Sequence, residues 1–531
     1  MTAHQEARRQ QWLRAWFHRQ SPDLVPMSLV LAGFLPRFFI AWFTFLNPDE
    51  ILHYLLSDQA SLGLAYQASL TSAHPPLMIL FLYYWRMLGH AEWVLRLPSV
   101  LAGTAFCWIT FLWLNKVANR STALNGLALL LFSPSLIHLS SEVRQYAFLL
   151  CLSAAALYFL ECAFSEKSAR MMLLSFGALC LALLTHYSAL IFALSVGIYA
   201  LLRLYRGTEI RLAITWIGGQ IVAVALCVFL YATHISLLKS SGQPLEIDTW
   251  LASSIYHPGS DHVVVFLLRT TIRLFHFLFS QGAVGVLGFL FFVIGVAGLW
   301  MGNRRFAAAP GKPSPRQLGL LLVLPFVINC SLALARLYPY GGTRHNAVLA
   351  GFAMSGIAIG FSRWTDHGRW GRPLVLALAL VVVVCNVFPT PTGAYIQPRN
   401  QSKKLMEESL QFVRQQIPPG SVLLTDNGGG LSLSYYLCHE RVVQYELPFK
   451  PFLQSDCGGL HVVTPAPNFK NLPDRSVLSA TDPYIRENPS TQVWFFQAGW
   501  IAGKEDMRRT LLQTGCRDPR KFGQNILLCQ L

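Results

Sequence analysis

About eleven apolar segments, each of roughly 17 to 25 residues, occupy most of the first 390 residues of the sequence. Backbone polar groups inside a bilayer must be satisfied internally, so such segments are constrained to form membrane-spanning helices. The segments are 27–46, 94–114, 122–140, 145–163, 171–185, 187–204, 212–234, 282–302, 317–336, 345–362 and 373–389. The sequence therefore predicts a polytopic α-helical membrane protein.

The composition agrees with a membrane protein and argues against a nucleic-acid partner. Hydrophobic residues make up 53% of the 531-residue chain, charged residues only 13%, and the mean hydropathy is +0.42. The formal net charge of +16 would suit nucleic acid, but no stacking-aromatic or groove-binding motif accompanies the basic residues. They lie in short clusters between apolar segments, so we expect the lipid bilayer as a partner and no nucleic acid.

The distribution of these basic residues predicts the orientation in the membrane. Connections on one side of the predicted bundle hold most of the Lys and Arg residues. The short connections on the other side hold few: Arg86, Arg144, Lys239 and Arg344. Because the basic side faces the cytoplasm, we expect a cytoplasmic N-terminus and an extracytoplasmic C-terminal region.

An acidic pair, Asp49-Glu50, follows Asn47-Pro48 directly after the first apolar segment. Charged groups at a bilayer face are costly unless they are solvated, paired or functional, so this pair is a candidate catalytic site. The alternative is a solvated helix cap, because acidic residues in a first turn also suit the helix dipole. Arg37, inside the same apolar segment, indicates a polar cavity or a partner, or a side chain that extends to the interface.

Two further segments predict helices at the outer membrane face. The apolar and aromatic stretch 77–89 begins after Pro75-Pro76 and ends at Gly89, which are helix start and stop signals. It is short for a span, and its Tyr and Trp content suits the interface. Segment 263–280 is of a similar kind and follows the outer loop 235–262.

A change of composition near residue 391 predicts a separate soluble domain. Residues 391–531 are polar and contain no further span, and ~140 residues fall within the usual domain range. We therefore expect a membrane domain with outer interfacial helices, 1–390, and a small extracytoplasmic α/β domain, 391–531. Patterning in the latter predicts a helix, a buried strand, a glycine turn and a second helix at 402–416, 421–425, 427–430 and 431–437.

Four cysteines lie in the predicted soluble domain: Cys438, Cys457, Cys516 and Cys529. In an oxidising compartment an even set predicts one or two disulfides, with three connectivities open. The alternative is four free thiols. The sequence has no Cys-x-x-Cys spacing of the kind that zinc sites use.

Polar and titratable residues gather at the predicted outer ends of the spans. Singly, an interfacial His or Tyr is commonly an anchor in the aromatic belt. Together, around an acidic pair, they indicate an outward-facing site that binds an anion and transfers a proton. The set comprises Arg96, Glu142, Arg144, Tyr146, His186, Tyr187, Arg344 and His345.

An ordered set of motifs within residues 27–360 closely resembles bacterial GT-C glycosyltransferases of the protein O-mannosyltransferase type. That family 39-like group is related to the lipid A aminoarabinose transferases and the rhizobial lipopolysaccharide sugar transferases. The motifs are Asp49-Glu50, His74-Pro75-Pro76-Leu77, Arg96-Leu97-Pro98-Ser99-Val100-Leu101-Ala102-Gly103, Glu142-Val143-Arg144-Gln145-Tyr146-Ala147 and Thr185-His186-Tyr187. The resemblance implies a GT-C-like helical domain of about 11 spans.

The resemblance also implies an activity and roles for individual residues. The donor would be a polyprenyl-phosphate-linked sugar, transferred, usually with inversion, to an envelope acceptor on the outer face of the bacterial cytoplasmic membrane. Asp49 would be the general base, while Glu50, about 100° away on a helix, would orient acceptor or sugar. The donor phosphate would be bound by Arg96, Arg144, Arg344 and Arg37. The substrate pocket would be lined by His74, Glu142, Tyr146, His186, Tyr187 and His345.

Metal dependence and two other classes of function stay open from the sequence. No cofactor is predicted; related oligosaccharide transferases use a divalent cation, but the sequence has no additional carboxylate cluster that would hold one. A lipid or sugar transporter or flippase would share the span count, although no internal repeat is apparent and the polar groups avoid the midplane. The third class is a catalytically silent relative that binds a lipid-linked sugar.

Overall fold

The computed structural model describes residues 24–205, 209–240, 251–279, 281–301, 311–364, 380, 381, 384, 401–440, 452–465, 482–487, 489–499 and 515–531. Helices form the membrane domain. They are α1 (Leu24–Phe43), α2 (Pro48–Ser57), α3 (Leu62–Ser69), α4 (Leu77–Trp85), α5 (Glu92–Val117), α6 (Arg120–Phe132), α7 (Pro134–Leu139), α8 (Tyr146–Glu166), α9 (Ala169–Leu183), α10 (Ala189–Leu204), α11 (Ile210–Leu230), α12 (Ser236–Ser240), α13 (Val263–Phe279), α14 (Gly282–Trp300), α15 (Pro315–Leu334) and α16 (Ala350–Trp364).

Seven helices in the described part of the chain are long and apolar enough to cross a membrane. They are Leu24–Phe43, Glu92–Val117, Tyr146–Glu166, Ile210–Leu238, Gly282–Trp300, Pro315–Leu334 and Arg344–Arg363. The predicted spans 171–185 and 187–204 correspond to the shorter apolar helices α9 and α10. The fold is therefore the helical membrane bundle that the sequence predicts, with fewer full-length spans among the described residues.

One predicted span is divided into two helices. Segment 122–140 forms α6 and α7, because Pro134 occupies the first position of α7 after Ser133. Proline has no backbone N–H and excludes the preceding residue from helical geometry, so the two helices cannot continue as one. The predicted span 373–389 lies outside the described residues except for 380, 381 and 384.

The two segments predicted as interfacial helices are both helical. The first forms α4, extended by a 3-10 turn at Arg86–Leu88, and it ends at Gly89, whose φ of 154° no side chain adopts easily. The second forms α13, which packs against α14. α3 and α4 together cover the region between α2 and α5.

The core of the membrane domain is formed by α5, α6, α8, α14 and α16, which pack against one another in pairs. The contact between α14 and α16 is made backbone to backbone. A Cβ at Gly295 would overlap the carbonyl oxygen of Gly356, and one at Gly360 would overlap that of Phe291. Glycine at these positions brings the two helices together closely, as is common between helices in membranes.

The C-terminal domain is a mixed sheet covered by helices. It contains α17 (Lys403–Gln416), β1 (Val422–Thr425), α18 (Asn427–Tyr436), β2 (Phe452–Cys457), β3 (Leu460–Pro465), α19 (Asp482–Glu487), β4 (Val493–Ala498), β5 (Arg517–Phe522) and β6 (Ile526–Gln530). The strand order is β2-β3-β1-β4-β6-β5; β1 is parallel to β3 and β4, and the other pairs are antiparallel. The structure pairs Cys438 with Cys457 and Cys516 with Cys529.

The glycine triplet of this domain is helical, although the sequence predicts a turn. Asp426 caps α18 by accepting a hydrogen bond from the Gly429 amide, so the glycines form the first turn of the helix. A Cβ at Gly429 would overlap the Thr425 hydroxyl and lie 2.7 Å from the carbonyl oxygen of Phe496. The glycines therefore allow α18 to approach β4 closely.

Candidate active site

The site is built on the first turn of α2. Asn47 caps this helix: its side-chain oxygen accepts from the backbone amide of Glu50 at 3.1 Å, and the backbone amide of Asn47 donates to Glu50 Oε2 at 2.9 Å. Pro48 occupies the first helical position, where its missing N–H costs nothing. This capping box fixes the orientation of the turn that carries Asp49 and Glu50.

Glu50 is fully buried and points into the protein. Its carboxylate binds the Arg96 guanidinium through two hydrogen bonds of 2.7 and 2.6 Å and accepts a third, of 2.8 Å, from the Val143 amide. The expectation that Glu50 orients acceptor or sugar therefore differs from the structure. All of these bonds connect α2 to α5 and to the turn before α8, which is a structural role.

Arg96 is also enclosed by acceptors of the protein, in contrast to its expected role at the donor phosphate. Besides Glu50, its guanidinium donates to the carbonyl oxygens of Ala41, Thr44 and Phe45, at 3.2, 2.7 and 2.9 Å. The side chain is 1% exposed. Arg96 thus fastens the end of α1 to the start of α2.

Asp49 faces the opposite direction and meets two arginines. Its carboxylate forms an ion pair with Arg344 at 2.7 Å and a shorter one with Arg144, and its side chain is 26% exposed. Arg144 lies in the turn before α8, and Arg344 begins the 3-10 turn Arg344–Leu349 before α16. Three separate parts of the chain therefore converge on one carboxylate.

The two arginines determine the charge state of Asp49. Burial by itself raises the pKa of this carboxyl, but Arg144 and Arg344 outweigh it and hold the pKa well below its ordinary value of 3.8. Asp49 is consequently ionised at neutral pH. A partly exposed carboxylate between two buried cations, with a strongly shifted pKa, is a candidate functional group.

Aromatic and imidazole rings surround this group. His74 stacks on His186 at 5.1 Å between ring centroids, Tyr146 lies 5.3 Å from His186, and His345 lies 6.2 Å from it. Burial, followed by nearby cations, lowers the pKa of His186 to about 3, and burial also lowers that of His74. These imidazoles are therefore neutral and offer hydrogen bonds and ring faces rather than charge.

Glu142 lies beside the capping box. Its Oε1 is 3.4 Å from Asn47 Nδ2. Burial, then repulsion from Glu50, raises the pKa of Glu142 to about 7 against the attraction of both arginines. The site thus contains two carboxyls, Asp49 and Glu142, whose surroundings move their pKa values in opposite directions.

Two further predicted site residues have hydrogen-bond partners outside this cluster. Arg37 is fully buried and donates to the carbonyl oxygens of Gly33, Leu130 and Leu131, so it joins α1 to α6 rather than facing a phosphate. The Tyr187 hydroxyl hydrogen-bonds with His234 Nδ1 at 2.6 Å, on the helix that follows α10. The pocket role of Tyr187 stays a prediction.

His53 is a residue of the site that sequence reasoning missed. Its Nδ1 lies 2.8 Å from the carbonyl oxygen of Asp49, and its Nε2 lies 3.0 Å from Gln145 Oε1. Burial lowers its pKa to about 4, so the ring is neutral. The signal was its spacing of four residues from Asp49, which places both on one face of a helix.

The described residues contain no cluster of three or more His, Cys, Asp or Glu side chains arranged to hold a metal ion. The carboxylates of Asp49 and Glu50 are instead each bound to arginine. Hard divalent cations require several oxygen ligands around one point. Within the described part of the chain, the polar groups of the site thus suit an anion better than a cation.

Comparison with known proteins identifies the fold. Residues 73–231 match the protein-family model described as dolichyl-phosphate-mannose-protein mannosyltransferase. The fold is similar to ArnT from Cupriavidus metallidurans bound to undecaprenyl phosphate, with 14% identity, 95% of this chain and 97% of that chain covered, and a TM-score of 0.55. The apo state of ArnT from Cupriavidus metallidurans, with the same coverage, shares 12% identity with this chain at a TM-score of 0.52.

A more distant similarity extends to an archaeal enzyme. The oligosaccharyltransferase AglB from Archaeoglobus fulgidus, in complex with an inhibitory peptide and a dolichol-phosphate, shares 11% identity over 93% of this chain and 72% of that chain, with a TM-score of 0.50. No curated protein sequence matches the chain. At such identities the structural likeness shows the fold. The chain is therefore a multi-pass membrane protein of GT-C fold, and its resemblance to GT-C glycosyltransferases of the protein O-mannosyltransferase type is confirmed.

Proposed function

We propose that this protein is a membrane glycosyltransferase that moves a sugar from a polyprenyl-phosphate donor to a hydroxyl of an envelope acceptor, with inversion at the anomeric carbon. The observation that carries this proposal is the carboxylate of Asp49 between the guanidinium groups of Arg144 and Arg344. The reaction needs a base for the acceptor hydroxyl and cations for the departing phosphate. The site brings both kinds of group together.

Asp49 acts as the general base. An acceptor hydroxyl is a poor nucleophile, and a carboxylate that takes its proton as the new glycosidic bond forms accelerates the attack. Asp49 is ionised at neutral pH because the arginines depress its pKa. Its carboxylate is partly exposed, whereas that of Glu50 is enclosed, so an acceptor has access to Asp49 alone of the pair.

Arg144 and Arg344 bind the departing lipid phosphate. As the bond between the anomeric carbon and the phosphate oxygen breaks, negative charge develops on the phosphate, and fixed guanidinium groups stabilise it. ArnT has been solved with undecaprenyl phosphate and AglB with a dolichol-phosphate, and both ligands are polyprenyl phosphates. This likeness supports a lipid phosphate as the donor's leaving group.

The shared arginines couple donor binding to the strength of the base. In the free site, Arg144 and Arg344 lower the proton affinity of Asp49. When a phosphate takes part of their charge, less attraction acts on Asp49, and its pKa rises toward the ordinary value. The carboxylate thus becomes a stronger base only when the donor is present. Neutral His74 and His186 provide ring faces for the sugar nearby.

The orientation follows from the basic residues of the sequence. Lys and Arg are concentrated on the connections opposite Asp49, which supports a cytoplasmic N-terminus. The reaction then takes place on the extracytoplasmic side of a bacterial cytoplasmic membrane. The soluble domain lies on that same side, because it contacts the first turn of α2 directly.

A turnover assay tests this function. Purified protein in detergent is given a panel of polyprenyl-phosphate hexoses and pentoses, and release of polyprenyl phosphate is measured with an envelope extract as acceptor. Asp49→Asn should lower kcat by about 10²- to 10⁴-fold, the contribution of a general base. Asp58→Asn is the matched control, because Asp58 ends the same helix and pairs with Arg86 outside the site. No release by the wild type with any donor, or full turnover in Asp49→Asn, would reject the proposal.

A further inference from the structure

The soluble domain contacts three consecutive residues of the chain that lead into Asp49. Thr44 forms a β-bridge with Ser402, and the Phe45 amide donates to the carbonyl oxygen of Gln401 at 2.8 Å. The Leu46 amide donates to the hydroxyl of Tyr436 at 2.7 Å. The segment 44–48 is therefore hydrogen-bonded to the soluble domain.

Apolar packing reinforces this contact. Phe45 is fully buried and belongs to the same hydrophobic cluster as Leu433 and Phe496 of the soluble domain. The ring of Pro48 lies so close to Gly499 that a Cβ there would overlap it. Residues of the membrane domain thus complete the soluble domain, and the two cannot move independently at the turn that carries the base.

Tyr436 of the soluble domain binds two parts of the membrane domain across the contact between the domains, which we call the junction. Its hydroxyl accepts from the Leu46 amide and donates to Glu92 Oε1 at 3.3 Å. Glu92 begins α5, the helix that carries Arg96, and its other oxygen binds Lys403 at 3.0 Å. A single hydroxyl therefore fixes segment 44–48 relative to α5, in addition to the Glu50–Arg96 pair.

We propose that Tyr436 is a positioning residue of the glycosyl transfer, through which the soluble domain sets the placement of Asp49. The inference rests on the proposed function of this site. A base is effective only when its carboxylate is within a fraction of an ångström of the productive position. Without the Tyr436 hydroxyl, the buried Leu46 amide has no acceptor in its present position, so the backbone three residues before Asp49 must shift or admit water.

A positioning role differs from simple adhesion between the domains in what it predicts. Tyr435 provides the matched control: its hydroxyl donates to the carbonyl oxygen of His90 across the same junction, and its ring packs against Tyr54. Removal of the Tyr435 hydroxyl costs one hydrogen bond between the domains and does not touch segment 44–48, whereas removal of the Tyr436 hydroxyl costs two. If the junction only holds the domains together, both changes should lower kcat, by amounts that follow the number of bonds lost.

The experiment compares Tyr436→Phe with Tyr435→Phe in the full-length protein. Tyr436→Phe should lower kcat about tenfold, a modest fraction of the loss that misplacement can cause, and leave the donor KM within about twofold. Amide hydrogen exchange at Leu46 should become faster in this variant only. Tyr435→Phe should keep the kcat and the Leu46 exchange of the wild type. Unchanged kcat in Tyr436→Phe, or a lowered kcat in both variants, would overturn the inference.

A second variant covers the case in which Tyr436→Phe does not fold. Glu92→Gln weakens the acceptor of the Tyr436 hydroxyl and removes the ion pair with Lys403, but it leaves the Leu46 bond in place. The kcat should therefore fall by a smaller factor, about threefold, in keeping with a weakened charge-assisted bond. Unchanged kcat in Glu92→Gln would count against the inference. Absence of wild-type turnover with every donor would reject the proposed function itself. An active wild type, an inactive Asp49→Asn and a fully active Tyr436→Phe would reject the positioning role alone.

Discussion

Asp49 and Arg344 form an ion pair of 2.7 Å although they stand near opposite ends of the membrane domain's sequence. The pair joins α2 to the turn that begins the helix Arg344–Arg363, and Arg144 adds the turn before α8. One carboxylate therefore defines the relative positions of three parts of the bundle. Both guanidinium groups approach the same oxygen of this carboxylate, Oδ2.

Lysine in place of Arg144 or Arg344 should weaken the binding of polyprenyl phosphate. Arg344→Lys or Arg144→Lys keeps the positive charge but loses the paired donors that bind a phosphate through two oxygens. We expect the Kd for polyprenyl phosphate to rise about tenfold or more in each variant, since a charge-assisted bond contributes about 1.5 to 3 kcal/mol. The measurement is titration of the purified protein with a short-chain polyprenyl phosphate.

Arg269→Lys is the matched control for this titration. Arg269 is an exposed arginine of α13 whose carboxylate partner is Asp261 at 3.4 Å. Its replacement should leave the Kd unchanged. Wild-type affinity in both Arg144→Lys and Arg344→Lys would contradict phosphate binding by these residues.

The buried pair of Glu50 and Arg96 should respond in a different way. Arg96→Met leaves the Glu50 carboxylate buried without its cation, which typically destabilises a protein by about 3–5 kcal/mol. In the double variant Arg96→Met/Glu50→Gln no unpaired charge remains, so much of the lost stability should return. Thermal unfolding in detergent, compared among wild type, single and double variants, measures this. A double variant less stable than Arg96→Met would contradict the structural role.

The sequence predicted the bundle and the soluble α/β domain for physical reasons, and it marked several residues that the structure brings together. Apolar length determines which segments form spans, and the order of the motifs marked Asp49, Arg144, His74 and His186, which the structure brings together. Linear order does not specify which way a side chain points. Arg96 was therefore expected at a phosphate, although the capping box turns Glu50 inward to meet it.

Other differences have local causes that composition does not reveal. The split between α6 and α7 follows from Pro134, which begins α7. A proline can begin a new helix or only kink a continuous one, and the composition of the segment does not show which. The glycines of α18 look like a turn because glycine favours turns, but close packing against β4 requires them within a helix. The role of Tyr436 depends on its contact with Leu46, a residue 390 positions away in sequence and in the other domain. No spacing rule predicts such a contact.

The cysteines provide a test of the orientation. If the soluble domain is extracytoplasmic, the pairs Cys438–Cys457 and Cys516–Cys529 form in cells. Denatured membranes prepared without reductant should then show seven of the eleven cysteines reacting with a maleimide polymer, and all eleven after reduction. The double variant Cys438→Ser/Cys457→Ser should show seven before reduction and nine after it. Eleven reactive thiols without reductant would place the domain in a reducing compartment.

Glu142 should make stability depend on pH in a direction opposite to that of an ordinary ion-paired carboxylate. Burial, then repulsion from Glu50, raises its pKa from 4.5 to about 7 in the folded protein. Between these values the folded state binds more protons than the unfolded state, so stability falls as pH rises. The stabilising contribution is complete below about pH 4.5 and is lost as pH rises through about 7.

Glu142→Gln removes this titration and keeps the side chain's size. The melting temperature of Glu142→Gln minus that of the wild type should therefore increase from pH 4.5 to about 7 and level off above it. Taking the difference cancels most of the effect that other titrating groups have on the melting temperature. His53 is one such group: its pKa is lowered in the folded protein, so its contribution to stability falls as pH falls, opposite to that of Glu142. A difference that is flat with pH, or that decreases, would show that Glu142 ionises in the folded protein at the pH of an ordinary carboxyl. Burial and repulsion from Glu50 would then not raise its pKa as described.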